Sequence, residues 1–275
     1  MVTAKPVTWS KSALTGWRFF YHLSPGVAPL IPPFRNTGKT QMTGAIWALT
    51  YDILANDRDQ YLDWFHRVHI PEKLARTGYR WAAHYQGAAT KPDMDSYIAL
   101  FGGETTRVFL DPSPAQLKTK QDDLTRKMMA FRHNPYAAIL THEWSVGTPP
   151  ATGDHMNFID PVTSDWLDFL GIDAGGAGGM DEAVGAWAVQ QLVPRLHNNQ
   201  ADKGQIAAIT HKLTSVTGGP LHIVMHLRDG TKTPDDNLFN PDGSIMVDRP
   251  ETAALRHRSG TLIWPSLIAQ PLPRI

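Results

Sequence analysis

Twelve histidines and no cysteine set the chemistry open to this chain of 275 residues. Imidazole is the side chain whose ordinary pKa lies nearest neutrality, so histidines are the first candidates for acid–base work. The missing thiols exclude disulfides, zinc ribbons, iron–sulfur clusters and cysteine nucleophiles together. His69 stands two residues before Pro71, where a helix ends or kinks and its free carbonyls can orient a ring. His66 lies one turn earlier and reads as solvent-facing. The pair has metal-ligand spacing, but no third ligand accompanies it, so no metal is expected.

Strand alternation nominates the rest. In the segment 79–86, Arg80, Ala82 and His84 share one face, with Trp81, Ala83 and Tyr85 on the other. In 137–146, Leu140, His142 and Trp144 lie together. Further along, His222, Val224 and His226 share a face, and His211 takes the place corresponding to His84. A polar cavity accounts for so many strand histidines.

Three motifs fail. Gly175-Gly176-Ala177-Gly178-Gly179 has no dinucleotide-loop register and is followed by Asp181 and Glu182, which repel phosphate. His142-Glu143 begins a zinc-protease pattern that Val146 breaks. No Gly-x-Ser-x-Gly occurs, which removes the usual hydrolase elbow.

These residues need elements to position them. Apolar, β-favouring Ala45–Ile53 predicts a buried strand, followed by a helix carrying Tyr61, Leu62, Phe65, Val68 and His69. Strands over 79–86 and 96–101, a long amphipathic helix over 111–131 and a strand over 137–146 complete β-α-β-β-α-β, the ferredoxin-like order. A helix over 181–196 and strands over 206–214, 221–228 and 260–264 echo it. Trp64 with Pro71 and Trp187 with Pro194 share one spacing. The first strand of the second set is placed at 155–160, and its second helix is replaced by the polar stretch 230–248. The expected organisation is an arm over 1–42 that packs its aromatics, Trp17 and Phe20 among them, on the rest. Two ferredoxin-like halves, 43–149 and 150–275, follow as an α+β fold.

The run Asp63-Trp64-Phe65-His66-Arg67-Val68-His69-Ile70-Pro71-Glu72, preceded by Tyr51-Asp52 and followed by Gly78 and a strand, resembles the dimeric α+β barrel superfamily, especially its EthD-like branch. The resemblance covers 43–146 well and 150–275 weakly. It implies two antiparallel sheets packed face to face as a barrel, with a ligand cavity between sheet and helices. It also implies that His69 faces that cavity as acid or base. The superfamily includes cofactor-free cyclases, isomerases, lyases and monooxygenases of aromatic or polyketide-like compounds. It also includes haem enzymes such as chlorite dismutases and aldoxime dehydratases.

The expectation is therefore a lyase, of decarboxylation or dehydration type, that needs no cofactor and acts on a small aromatic or polyketide-like compound. His69, His84, His142 and Arg80 are its catalytic candidates, and Tyr51, Trp64, Tyr85, His211, His222 and His226 its substrate contacts. The alternatives are a haem enzyme, a cofactor-free isomerase, cyclase or monooxygenase, or a barrel that only binds a hydrophobic ligand. Equal counts of 26 basic and 26 acidic residues argue against nucleic acid or an anionic membrane as partner. No apolar run reaches the length of a membrane span, and residues 1–12 lack the apolar core of a secretory signal, so a cytoplasmic protein is expected. Charged residues at 19% fall below the usual ~25%, which leaves room for a homodimer.

Overall fold

The computed structural model describes residues 44–147, 164–173, 180–201, 208–228 and 254–265. Eight strands close into one antiparallel barrel. They are β1 (Ala45–Leu54), β2 (Tyr79–Lys91), β3 (Met94–Gly103), β4 (His133–Gly147), β5 (Trp166–Asp173), β6 (Ala208–Ser215), β7 (His222–Arg228) and β8 (Ala254–Trp264). Their order around the barrel is β1-β3-β2-β8-β5-β7-β6-β4. β1 sits between β3 and β4, and β5 between β7 and β8. The seams are β2 with β8 and β4 with β6. This arrangement, with helices packed on it, is consistent with a duplicated ferredoxin-like architecture.

Alternation along the strands sorts the core into three layers. The barrel interior takes Ile46, Ala48, Trp81, Ala83, Tyr85, Ile98 and Leu100 from one side, and Leu167, Phe169, Leu213, Ile223 and Met225 from the other. Outside β1–β3, the odd residues Trp47, Leu49, Tyr51 and Ile53 meet the first helical segment. That segment runs as α1 (Ala55–Trp64), a π-helical turn (Phe65–His69) and α2 (Ile70–Leu74). Outside β5 and β7, Leu170, Ile172 and Val224 meet Val184, Trp187, Leu192 and Leu196. These belong to the second segment, α6 (Met180–Trp187), a π-helical turn (Ala188–Leu192) and α7 (Val193–Ala201). Each π-turn follows a tryptophan and ends two residues before a proline. Proline has no N–H to give the regular helical ladder and crowds the carbonyl four residues back, so a wider turn is the local remedy.

Two expectations change. The first strand of the second set is β5, at 166–173; residues 155–160 lie outside those described, as do 230–248 and the arm 1–42. The expected helix over 111–131 is three short ones, α3 (Arg107–Leu110), α4 (Pro114–Lys118) and α5 (Asp123–Ala130). Pro112 and Pro114 end one run and start the next, with Ser113 capping α4 and Asp122 capping α5. Among the described residues no helix is long and apolar enough to cross a membrane.

Candidate functional site

The helix-covered face of β1–β3 carries a chain of polar groups inside an aromatic shell. Tyr51 on β1 and His84 on β2 are fully buried, and Tyr51 Oη lies 2.9 Å from His84 Nε2. The other nitrogen of that ring, Nδ1, lies 2.8 Å from Nε2 of His66, which is only partly buried. On the inner side Tyr51 packs edge-on against Tyr61, with ring centroids 5.6 Å apart, and the Tyr61 hydroxyl accepts from Arg132 Nε at 2.7 Å. The guanidinium also lies over the Tyr51 ring, 4.4 Å from its centroid. One proton assignment for the chain is His66 Nε2–H to His84 and His84 Nε2–H to Tyr51. Reversing both steps moves a proton from Tyr51 toward the rim.

Burial sets the charge of these groups. It holds His84 well below its ordinary range, with His66 and Arg132 adding to the effect. It lowers His66 to about 4, against the opposing pull of Asp63. It raises Tyr51 well above its usual value, and Tyr61 also. The relay is therefore neutral near pH 7.

His69 lies next to this chain but outside it. Its ring packs on Trp64 at 4.7 Å and Phe65 at 5.5 Å. Burial, followed by the charges of Lys73, Arg132 and Arg76, pushes it well below its ordinary range. Burial also lowers Lys73, to about 8, and its ammonium lies 5.3 Å from the Trp47 ring centroid. Four buried polar atoms on this face have no partner: Trp64 Nε1, His69 Nδ1, Tyr97 Oη and Arg132 Nη2. Unpaired buried polar groups are costly, and a ligand is one way to satisfy them. Nitrogen donors dominate this set and its charged neighbours are cations, so the matching group is an acceptor such as a carboxylate, phenolate or carbonyl oxygen.

The structure places the other candidates elsewhere. Arg80 pairs with Glu104; a bulge between Tyr79 and Trp81 takes it off the Ala82–His84 face. Tyr85 lies in the barrel interior, opposite His84. His211 sits opposite Met225, an interior residue, so it is not the counterpart of His84. It joins His142 through Ser145. His222 bonds the Asp181 carbonyl at 3.0 Å.

His226 is fully buried on the helix-covered face of β7. Its Nδ1 lies 2.7 Å from Thr210 Oγ1, while Nε2 has no partner. Two further unpaired atoms, His197 Nδ1 and Arg228 Nε, belong to α7 and the same strand. Burial lowers His226 to about 4, so its ring is neutral near pH 7. A neutral imidazole with one nitrogen anchored and the other free could hold a haem iron. Beside it, burial alone would raise Asp168. The hydrogen bond from His257 and the charge of Arg228 instead hold its carboxyl below the usual range. Among the described residues no group of three or more His, Asp or Glu could hold a bare metal ion.

His66 was the functional candidate that the sequence hid. Helical spacing points it at solvent, but the π-turn contains it, and the extra residue in that turn shifts the face it presents.

No protein-family model matches the sequence, and no curated protein does. Solved structures share its fold at low identity. A monooxygenase candidate from Fusobacterium nucleatum has 8% identity and a TM-score of 0.43, over 80% of this chain and 93% of that one. A chlorite dismutase variant from Candidatus Nitrospira defluvii, solved with cyanide, has 8% identity and a TM-score of 0.36, over 68% and 77%. An aldoxime dehydratase has 10% identity and a TM-score of 0.30, over 70% and 72%. At these values the likeness is one of fold. The expectation of a chain with no cofactor is set aside: the structures similar to it include a chlorite dismutase and an aldoxime dehydratase.

Proposed function

We propose that this chain is an enzyme that moves protons on a small aromatic compound bearing an anionic or carbonyl oxygen. The binding face is that of α1 and its π-turn against β1–β3. The observation that carries the reading is the His66–His84–Tyr51 chain, which links the rim to a buried phenol through two neutral imidazoles. Aromatic walls suit a ring, and the unpaired donors of Trp64 and Arg132 suit its oxygen. Within that site Tyr51 exchanges a proton with the substrate, His84 passes it and His66 releases it at the rim. Elimination, as in dehydration or decarboxylation, needs such proton movement. Turnover of a panel of phenols and aromatic acids, compared between wild type and His66→Gln, tests the reading. A loss of about 10²-fold or more supports it, and equal rates overturn it.

The free Nε2 of His226 favours a second reading, a haem enzyme. His226 would hold the iron, with Thr210 anchoring the ring and His197 nearby on α7. The bound haem would supply redox and Lewis-acid chemistry. Reconstitution with haemin and an absorption spectrum test it: a Soret band that His226→Ala abolishes supports it, and no band overturns it.

The architecture we propose for either reading is two copies of one ferredoxin-like unit, 43–149 and 150–275. Support comes from the recurring strand order, the two seams, and the two π-turns that each sit between a tryptophan and a proline.

A further inference from the structure

A third polar cluster lies at the β4–β6 seam; its His211 follows Thr210, the partner of His226, but faces the barrel interior. In a regular strand, residues three apart face opposite ways. The β4–β6 register shifts between His142 and Trp144, leaving Glu143 as the extra residue. His142 then stands opposite Leu213 and Ser145 opposite His211, both on the interior face. The bulge thus brings His142 and Ser145 to one side. Ser145 Oγ lies 2.7 Å from His142 Nε2 and 2.6 Å from His211 Nδ1. His211 is buried and its Nε2 has no partner, whereas His142 and Ser145 are only partly buried.

The direction of each contact depends on the ring tautomers. With the His142 proton on Nδ1, its Nε2 accepts from the serine hydroxyl. A serine oxygen has one proton to give, so the contact with His211 runs the other way, with Nδ1–H donating to Oγ. The oxygen is held between a base and a donor. That is the arrangement of an activated hydroxyl nucleophile.

We propose that Ser145 is a nucleophile that takes an acyl group from small activated esters, with His142 as its base and His211 as the donor that steadies its oxygen. Ser145 Oγ bonds to the carbonyl carbon as its proton passes to His142 Nε2. The bond from that carbon to the leaving oxygen breaks, and His142 returns the proton to the departing alcohol. Water then adds its oxygen to the acyl carbon. One of its protons returns to Ser145 Oγ by way of His142, and the carboxylic acid is released.

A fluorophosphonate probe tests the proposal, because the same attack forms a stable Ser145–phosphorus bond and expels fluoride with the serine proton. The expected result, on the folded full chain, is one adduct per molecule mapped by peptide mass spectrometry to Ser145. Labelling should be about 10²-fold slower in His142→Gln, with p-nitrophenyl acetate hydrolysis falling in step. Arg107→Ala, on the exposed surface of α3, should label at the wild-type rate. No adduct, an adduct on another residue, or undiminished labelling in His142→Gln overturns it. Mapping is made on the wild-type chain, so the outcome does not depend on whether a variant folds.

Discussion

Tyr51 and His84 meet at 2.9 Å although their strands are not neighbours. β3 runs between β1 and β2, and the residue it places directly beside His84 is Ala99. A methyl group there leaves the space over which the two side chains reach each other. Tyr97, the next β3 residue on that face, stacks on both rings, at 5.8 Å from Tyr51 and 5.2 Å from His84. Ala99→Leu should fill that space and cost about 1–3 kcal/mol by overpacking. Turnover should fall as in the His84 variant, so denaturation and kinetics on one protein check both.

His84→Gln keeps much of the ring's volume but cannot carry a proton through. Turnover should fall by about 10²–10⁴-fold. His66→Gln, at the rim, should show a comparable loss with little change in thermal midpoint, because a partly buried side chain contributes less packing.

Arg132→Met keeps the apolar stem and removes the charge over Tyr51. KM for an aromatic carboxylate should rise by at least about tenfold, the effect of losing one charge-assisted hydrogen bond. An uncharged analogue of the same shape should bind almost unchanged.

Acid should destabilise the fold from about pH 6.5 downward. Burial lowers His211 to about 3, and His66 and His226 to about 4, from an unfolded value near 6.5. Below about pH 6.5 the unfolded chain takes up protons that the folded chain refuses. Stability is therefore complete above that pH and falls progressively as pH drops toward the folded values. Urea denaturation at a series of pH values between 7.5 and 4.5 should show this slope, and His226→Gln should reduce it by one proton.

Asp168 and Arg228 form a fully buried pair at 3.2 Å, with His257 as a third member. Asp168→Ala leaves the guanidinium charged and unmatched. The cost should be about 3–5 kcal/mol, whereas replacing both residues by apolar ones should cost less.

The first half of the barrel was legible because its strands alternate cleanly, as in Trp81-Ala82-Ala83-His84-Tyr85, and its helix carries a regular apolar face. β5 was not, because its apolar residues face both the interior and α6, and a buried Asp168 interrupts them. Val68 shows why the relay was missed. Regular helical spacing turns Val68 and His69 inward with Tyr61 and Phe65, but with the π-turn Val68 is 38% exposed and His69 alone is buried. The Ser145 cluster depends on one extra residue in β4, which alternation alone does not reveal.

The barrel closes within a single chain, so any substitution in it occurs once. A two-chain barrel made of identical subunits would carry each change twice, at symmetry-related places. Here the face behind β1 holds phenols and imidazoles, and the face behind β5 holds a carboxylate, a guanidinium and their histidines. Selection can alter one of these faces while leaving the other intact.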